Sequence, residues 1–431
     1  MIHPAPPTRR HVLVVEMAAD APFGHYPVAF AQLADALRRS GCTVTALTRR
    51  GWCLADDPAS PPLDVRAFGR GAERAFTWAA RVGHLRPRRS AERLEHVART
   101  VVVGRVADRL AARLGCTDVI LVTRLHAPAA SLVGRHGRWL SYQFTPPDPS
   151  AVDRAVTAMA RWRARRHAPR LRVATHVEVA RAAWEETAPW LRPVRFPFIA
   201  ARRHDPIPDA RARRGLPADV PLALAFGQHP GKDPDVVWEA FTALPEWQLV
   251  VAGSRAADTY RAWAARAQPE GPTPILVYGF VDETTRAELH AAADLMVMSF
   301  RPDVRADSGN LVDAVSWGLP IVCSSPCPSA DTVERYGLGR VFAAGDPAAL
   351  AVAVRSAPRH PDPDGLARAR SELGDDHVAA RNLEALDGID AAVHRIEAMN
   401  DDLESRVHRV SGQDDGRHDE VGRLDWVWTT F

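Results

Sequence analysis

The sequence predicts an α/β protein of two doubly wound, Rossmann-like domains facing each other across a cleft, followed by a C-terminal helical tail. Three observations carry this. Short apolar runs alternate with helical patterns along the chain. The runs are continuous rather than alternating, as strands buried on both faces of a parallel sheet must be. The scheme occurs twice within 431 residues of 46% hydrophobic content, which is enough chain for two cores.

In the first set, strands are expected at 11–17, 43–48, 118–123 and 170–175, separated by amphipathic helical patterns such as 29–40. The segment Phe196-Pro-Phe-Ile-Ala-Ala-Arg-Arg-His-Asp-Pro-Ile-Pro-Asp209 follows. Its prolines remove backbone donors and restrict the residues before them, so it reads as a linker over 196–214. The second set places strands at 222–226, 248–253, 275–280, 294–300, 319–324 and 340–343. The expected units are therefore 1–195, 215–372 and a tail, 373–431.

Net charge is +3, but residues 1–200 hold 31 Arg against 16 acids whereas residues 201–431 hold 24 cations against 36 acids. Either the halves attract each other, or the basic half faces an anionic partner such as a phosphorylated acceptor or a membrane surface. The densest patch is 154–172, where Arg161, Arg163, Arg165, Arg166 and Arg170 crowd around Trp162, behind the capping pair Ser150 and Asp153. No nucleic-acid recognition motif accompanies it, so nucleic acid is not an expected partner.

The five cysteines, Cys42, Cys53, Cys116, Cys323 and Cys327, are odd in number and scattered, which suggests reduced thiols in a cytoplasmic setting. The Cys323-x3-Cys327 spacing has no matching His or Cys pair, so no metal site is expected. The start lacks the layout of a secretion signal, and no stretch reaches the roughly 18 to 20 apolar residues of a membrane span.

Of the 55 cationic residues only Lys232 is lysine. A lysine is a compact ammonium on a flexible stem and an arginine a rigid fork, so a phosphate cradle or a Schiff base cannot exchange them freely. Lys232 lies in Phe226-Gly-Gln-His-Pro-Gly-Lys-Asp233, between an expected strand and a helical pattern, where strand-to-helix turns bind anions. Further on, the loop after Phe300 reads Arg301-Pro-Asp-Val-Arg-Ala-Asp-Ser-Gly-Asn-Leu-Val-Asp313. Ser308 is a natural N-cap, Gly309 permits close approach, and the amides behind them can receive phosphate oxygens. Asp313 falls about one turn into that helix. There a carboxylate either complements the helix dipole or accepts hydrogen bonds from two ribose hydroxyls.

These blocks, taken with 236–241, 249–253, 277–282, 291–295 and 311–322, resemble the donor half of family 4 glycosyltransferases of the GT-B fold. The resemblance covers 215–360 well and 11–200 only in rhythm. It implies transfer of a sugar from a nucleoside diphosphate sugar to a hydroxyl acceptor with retention of configuration, with no cofactor and no metal. The acceptor, bound by 1–195, would be a small molecule, a glycan or a lipid-linked species, and the basic first half suggests an anionic one. The resemblance makes Lys232 a catalytic ligand of the donor diphosphate in a loop with Gly227, Gln228 and His229. Asp313 becomes the counterpart of the second glutamate of E-x7-E on the ribose, in the run Asp307, Ser308, Gly309 and Asn310. Phe280 and Val281 form the wall beside the base. The first glutamate's place is taken by Arg305 and that of the arginine usually paired with the lysine by Gln228. This leaves Asp307 or Asp303 to serve the sugar and His229 to donate near the phosphates.

In the first half, Gly24 and His25 follow the first strand and open a helix, so they approach the donor phosphates or the acceptor. His126, just past the 118–123 strand, sits where related enzymes carry a cleft histidine. It is expected to act in catalysis by positioning the acceptor, the departing phosphate being itself able to take the proton. The competing classes are a sugar-nucleotide-binding relative without transfer, an epimerase, and a phosphorylase with pyridoxal phosphate on Lys232. In the tail, Leu386, Val393, Asn400 and Val407, with Ile389, Ile396, Leu403 and Val410 three places on, form a heptad seam. It predicts a homodimeric coiled coil over 386–410 or a helix folded back on the first domain.

Overall fold

Apolar runs without alternation become strands covered on both faces. The computed structural model describes residues 10–17, 26–49, 63–75, 88–122, 125–143, 147, 150–164, 167, 169–195, 201–227, 231–253, 256–267, 272–279, 281–304, 308–391 and 393. The first sheet has seven parallel strands: β1 (His11–Glu16), β2 (Thr43–Thr48), β3 (Asp64–Ala67), β4 (Asp118–Leu121), β5 (Arg138–Tyr142), β6 (Leu171–Thr175) and β7 (Val194–Arg195), in the order 3-2-1-4-5-6-7. Along β1, Val12 and Val14 enter one core cluster, and Leu13 and Val15 enter the cluster on the opposite face. Helices α1 (Tyr26–Arg39), α2 (Arg88–Leu114), α3 (Ala127–Val133), α4 (Ala151–Ala164) and α5 (Glu178–Thr187) connect these strands.

The second sheet has six strands: β8 (Leu222–Phe226), β9 (Gln248–Gly253), β10 (Ile275–Tyr278), β11 (Leu295–Met298), β12 (Ile321–Ser325) and β13 (Gly339–Ala343), in the order 10-9-8-11-12-13. A four-residue turn of helix, α6 (Ala210–Arg213), precedes it. Helices α7 (Pro234–Thr242), α8 (Ala256–Ala267), α9 (Glu283–Ala292), α10 (Gly309–Trp317), α11 (Pro328–Tyr336), α12 (Pro347–Arg355) and α13 (Pro363–Glu372) complete the unit. In each sheet the winding reverses beside the first strand, between β1 and β4 and between β8 and β11. Ligands of open α/β sheets bind at such a reversal, outside the carboxyl ends of the strands.

After α13, a helix over 375–391, α14, returns to the first sheet. Val378, Ala379, Ala385, Leu386, Ile389 and Val393 are buried in the cluster that holds Val12, Val14 and Phe30. Buried Asn382 donates to the Tyr142 hydroxyl at 2.8 Å. Of the two expectations for this seam, a coiled coil or a helix folded back on the first domain, the second holds over its first part: Leu386, Ile389 and Val393 are buried in the chain's own core. Ile396, Asn400, Leu403, Val407 and Val410 lie outside the described residues.

The same helix accounts for part of the charge split. Asp387 and Asp390 pair with Arg10, Arg138 and Arg170, and Asp375 and Asp376 pair with Arg39. Behind this network sits Asp118, with no exposed side-chain surface, accepting from Arg10 Nε and Arg138 Nε at 2.7 Å each. Removing one partner of a buried pair strands the others, so Asp118→Asn is expected to cost about 3 kcal/mol of stability. Urea unfolding of the two proteins measures this, and a loss below about 1 kcal/mol would show the network to be dispensable.

Candidate functional site

At the end of β8 the chain turns through Gly227 at φ +69°. An added Cβ there meets nothing within 4 Å, so the left-handed backbone, not crowding, is what favours glycine. The following segment is stitched to the loop after β11. Lys232 forms an isolated antiparallel bridge with Phe300, the Asp233 amide donates to Ser299 O at 3.1 Å, and the Arg301 amide donates to Gly231 O at 3.0 Å. The two loops that flank the winding reversal are thus held together.

Inside this junction Lys232 is 7% exposed. Its Nζ donates to the Phe226 carbonyl, which also accepts from Asn310 Nδ2 on α10. The Phe300 ring centroid is 5.8 Å from Nζ. Burial pushes the amine down from 10.5 to about 7, while Cys323 and Asp313 oppose the fall. Among the described residues no carboxylate pairs with this amine, and an ammonium buried in that way is costly, which favours the neutral form. Cys323, fully buried on β12, lies with its sulfur 3.6 Å from that of Cys327.

Helix α10 begins at Ser308, whose hydroxyl accepts from the Asn310 amide at 3.3 Å. The opening amides of a helix lack intrahelical partners, so Gly309 lies at a position of positive potential. Asp313, 7% exposed, accepts from Arg286 Nη2 at 3.3 Å, while its Oδ2 is buried with no hydrogen-bond partner. His290 lies 3.8 Å from that oxygen. Because His290 Nδ1 donates to Arg286 O at 2.7 Å and burial pushes its pKa down, Nε2 is a bare acceptor, also unpartnered. Two buried acceptors therefore face each other. Val281 lies just before α9, whose N-cap Asp282 accepts from the Thr285 amide at 2.7 Å.

Gly227, Lys232, Ser308, Gly309, Asn310 and Asp313 are thus assembled around one end of the second sheet, and Val281 leads into α9, which supplies the neighbours of Asp313. Gln228, His229, Phe280, Arg305, Asp307, Gly24 and His25 lie outside the described residues. Asp303 is mostly exposed and pairs with Arg301. Sequence reasoning missed Arg286 and His290. Their i, i+4 spacing, one helical turn after the 277–282 block, is the signal that marks them as one face.

His126 follows β4 and caps α3. Its Nδ1 accepts from the Ala129 amide at 3.1 Å and its Nε2 donates to Asp153 Oδ1 at 2.5 Å. Burial disfavours the Asp153 charge, but hydrogen bonds from His126 and Ser150 outweigh it and hold this carboxyl below its usual value. Both nitrogens are thus engaged within the protein, which leaves the ring itself as a wall. It bounds a cavity of about 410 Å³ shared with Arg93, Gln143, Arg161, Trp184 and Trp190. Asp153, read from the sequence only as a cap, is the residue that fixes His126.

Residues 221–358 match the family model described as glycosyl transferases group 1. No curated protein sequence is found to match the chain. Solved structures are similar over nearly the whole chain. A glycosyltransferase from Rickettsia africae is 12% identical, with a TM-score of 0.63 over 89% of this chain and 99% of that one. Sucrose-phosphate synthase from Thermosynechococcus elongatus is 17% identical, with a TM-score of 0.59 over 89% and 100%. Anabaena HepE in complex with UDP-glucose is 14% identical, with a TM-score of 0.57 over 88% and 99%. At these identities the likeness shows the fold, the GT-B arrangement of two Rossmann-like units. Among the described residues, no helix is long and apolar enough to cross a membrane.

Proposed function

We propose that this protein is a retaining glycosyltransferase that moves a sugar from a nucleoside diphosphate sugar to a hydroxyl acceptor. The observation that carries the reading is the convergence of Lys232 and Asn310 on the Phe226 carbonyl, beside the start of α10 and at the winding reversal of the second sheet. The match of 221–358 to group 1 glycosyl transferases supports it. In this reading 215–372 hold the donor, 1–195 receive the acceptor, 196–214 link them, and 373–431 brace the first unit.

The difficult event is departure of the nucleoside diphosphate while positive charge develops at the sugar carbon. Lys232, swinging from Phe226 O to the diphosphate, takes up a proton and meets the leaving charge with the amide of Gly309. Asp313 Oδ2 and His290 Nε2 accept from the ribose hydroxyls, whose donors end the confrontation of two bare acceptors. Gly227, Gln228, His229, Asp307, Ser308 and Gly24 line the donor path, Phe280 and Val281 flank the base, and His25 with the wall formed by His126 faces the acceptor. The departing phosphate oxygen accepts the acceptor's proton on the same face, which is why the engagement of both His126 nitrogens is compatible with turnover.

Thermal denaturation with UDP, GDP and ADP and their glucose conjugates tests the reading. One nucleoside series is expected to raise the melting temperature, since a ligand at about 100 times its Kd adds roughly 2.7 kcal/mol to the folded state. Product from that donor should keep the anomeric configuration in proton NMR. No stabilisation by any of them would sink the proposal. Visible absorbance from an imine in the purified protein would instead favour the phosphorylase reading, because a neutral buried amine also suits a Schiff base.

A further inference from the structure

The cavity beside His126 has features of a built site that the donor chemistry does not use. It reaches the carboxyl ends of β4 and β5 through His126 and Gln143, the end of a parallel sheet at which ligands bind. Its volume of about 410 Å³ falls in the range of small-molecule sites. Two indoles, Trp184 and Trp190, are among its lining residues, and Trp190 Nε1 is buried with no hydrogen-bond partner. A buried donor left unpaired is costly unless a ligand or water completes it.

The electrostatics point one way. Asp153 is the lining carboxylate, and it is already satisfied by His126 and Ser150, with Arg93 at 3.6 Å. Against it stand Arg93, Arg154 and Arg161. Among the described residues Arg161 has no carboxylate partner; it lies one turn beyond Thr157 on α4, and both line the cavity. Indole rings bind flat apolar faces, and a guanidinium, here the exposed Arg161, binds carboxylate or phosphate through paired donors.

We propose that this cavity is the acceptor site and that it selects a six-membered ring with an apolar face bearing an anionic group. The proposal rests on the glycosyltransferase reading for the word acceptor; the binding chemistry stands on the cavity itself. An aromatic hydroxy acid and a sugar acid share this chemistry.

The test is calorimetric titration of the full chain with 4-hydroxybenzoate against 4-hydroxybenzamide, and with glucuronate against glucose. UDP, GDP and ADP are titrated in parallel. One acid is expected to bind about tenfold tighter than its neutral counterpart, the size of one charge-assisted hydrogen-bond pair. Which acid does so separates the aromatic from the sugar class. Arg161→Gln should abolish the preference while nucleotide affinity stays at the wild-type value, which also reports intact folding. Trp190→Phe should weaken both members of the preferred pair. Equal affinity for acid and neutral ligand, no binding of any of the four, or a preference that survives Arg161→Gln overturns the proposal. An acid preference with no nucleotide binding in any variant sustains the cavity assignment and counts against the glycosyltransferase reading alone.

Discussion

Lys232→Met is expected to raise the melting temperature of the ligand-free protein below pH 7 and, on the proposed function, to lower sugar transfer by about a hundredfold or more. The two effects share one cause. The Lys232 amine is buried and its pKa is pushed from 10.5 to about 7, so between those values the unfolded chain holds a proton that the native one lacks. Stability therefore rises with pH through this window, and below about pH 7 the native state carries the full burden of a buried ammonium. Methionine has a similar volume and no charge, so it removes a burden of a few kcal/mol, as replacement of buried ions by apolar residues commonly does. The benefit is expected to fade as pH approaches 10.5. On the proposed function the same substitution deletes a donor to the leaving phosphate oxygens, an interaction typically worth about 3 to 4 kcal/mol. Lys232→Arg should be worse on both counts, because a guanidinium cannot shed its charge in the site and does not fit the path of a slim ammonium. Urea unfolding at pH 6 and 9, together with kcat, checks each arm. A destabilised Lys232→Met variant at pH 6 would show that the lysine contributes to the fold rather than being tolerated by it.

Affinity for a nucleotide sugar is expected to be flat from pH 6 to 7 and to fall by nearly tenfold per pH unit above that. In the free protein the amine is neutral above about pH 7, whereas a diphosphate favours the ammonium, so binding must draw a proton from solution. A nucleotide sugar has no phosphate that titrates in this range, which leaves the amine as the source of the slope. Calorimetry at pH 8 in two buffers of different ionisation heat should report uptake approaching one proton. Uptake near zero would mean that the amine is already charged before the ligand arrives or never meets it.

The second sheet was legible because most of its strands are dominated by consecutive apolar residues, as in Leu222–Phe226 and Leu295–Met298. All six expected strands there form, with ends within two residues of expectation, and the residues after β8 and β11 lie together for the topological reason that makes any doubly wound sheet bind ligands at its winding reversal. The first sheet hid three strands. Arg138–Tyr142 mixes Arg and Ser into its run, Asp64–Ala67 is an exposed edge, and Val194–Arg195 spans two residues. None carries enough apolar periodicity to be seen. Heptad spacing in the tail was real, but spacing does not say which surface buries it; the chain's own sheet took Leu386 and Ile389. Pairings between distant residues were out of reach as well. No local pattern links His126 to Asp153, or Asp118 to the arginines 108 residues before it and 20 after it.

Since residue 232 is the single lysine of the sequence, isotope-labelled lysine gives one side-chain signal, and its chemical shift against pH measures the central claim directly. A midpoint near 7 is expected without ligand, and an ammonium signal that persists to at least about pH 9 with a bound nucleoside diphosphate. A midpoint near the ordinary lysine value in both states, or a signal that ignores a nucleotide shown to bind, contradicts it.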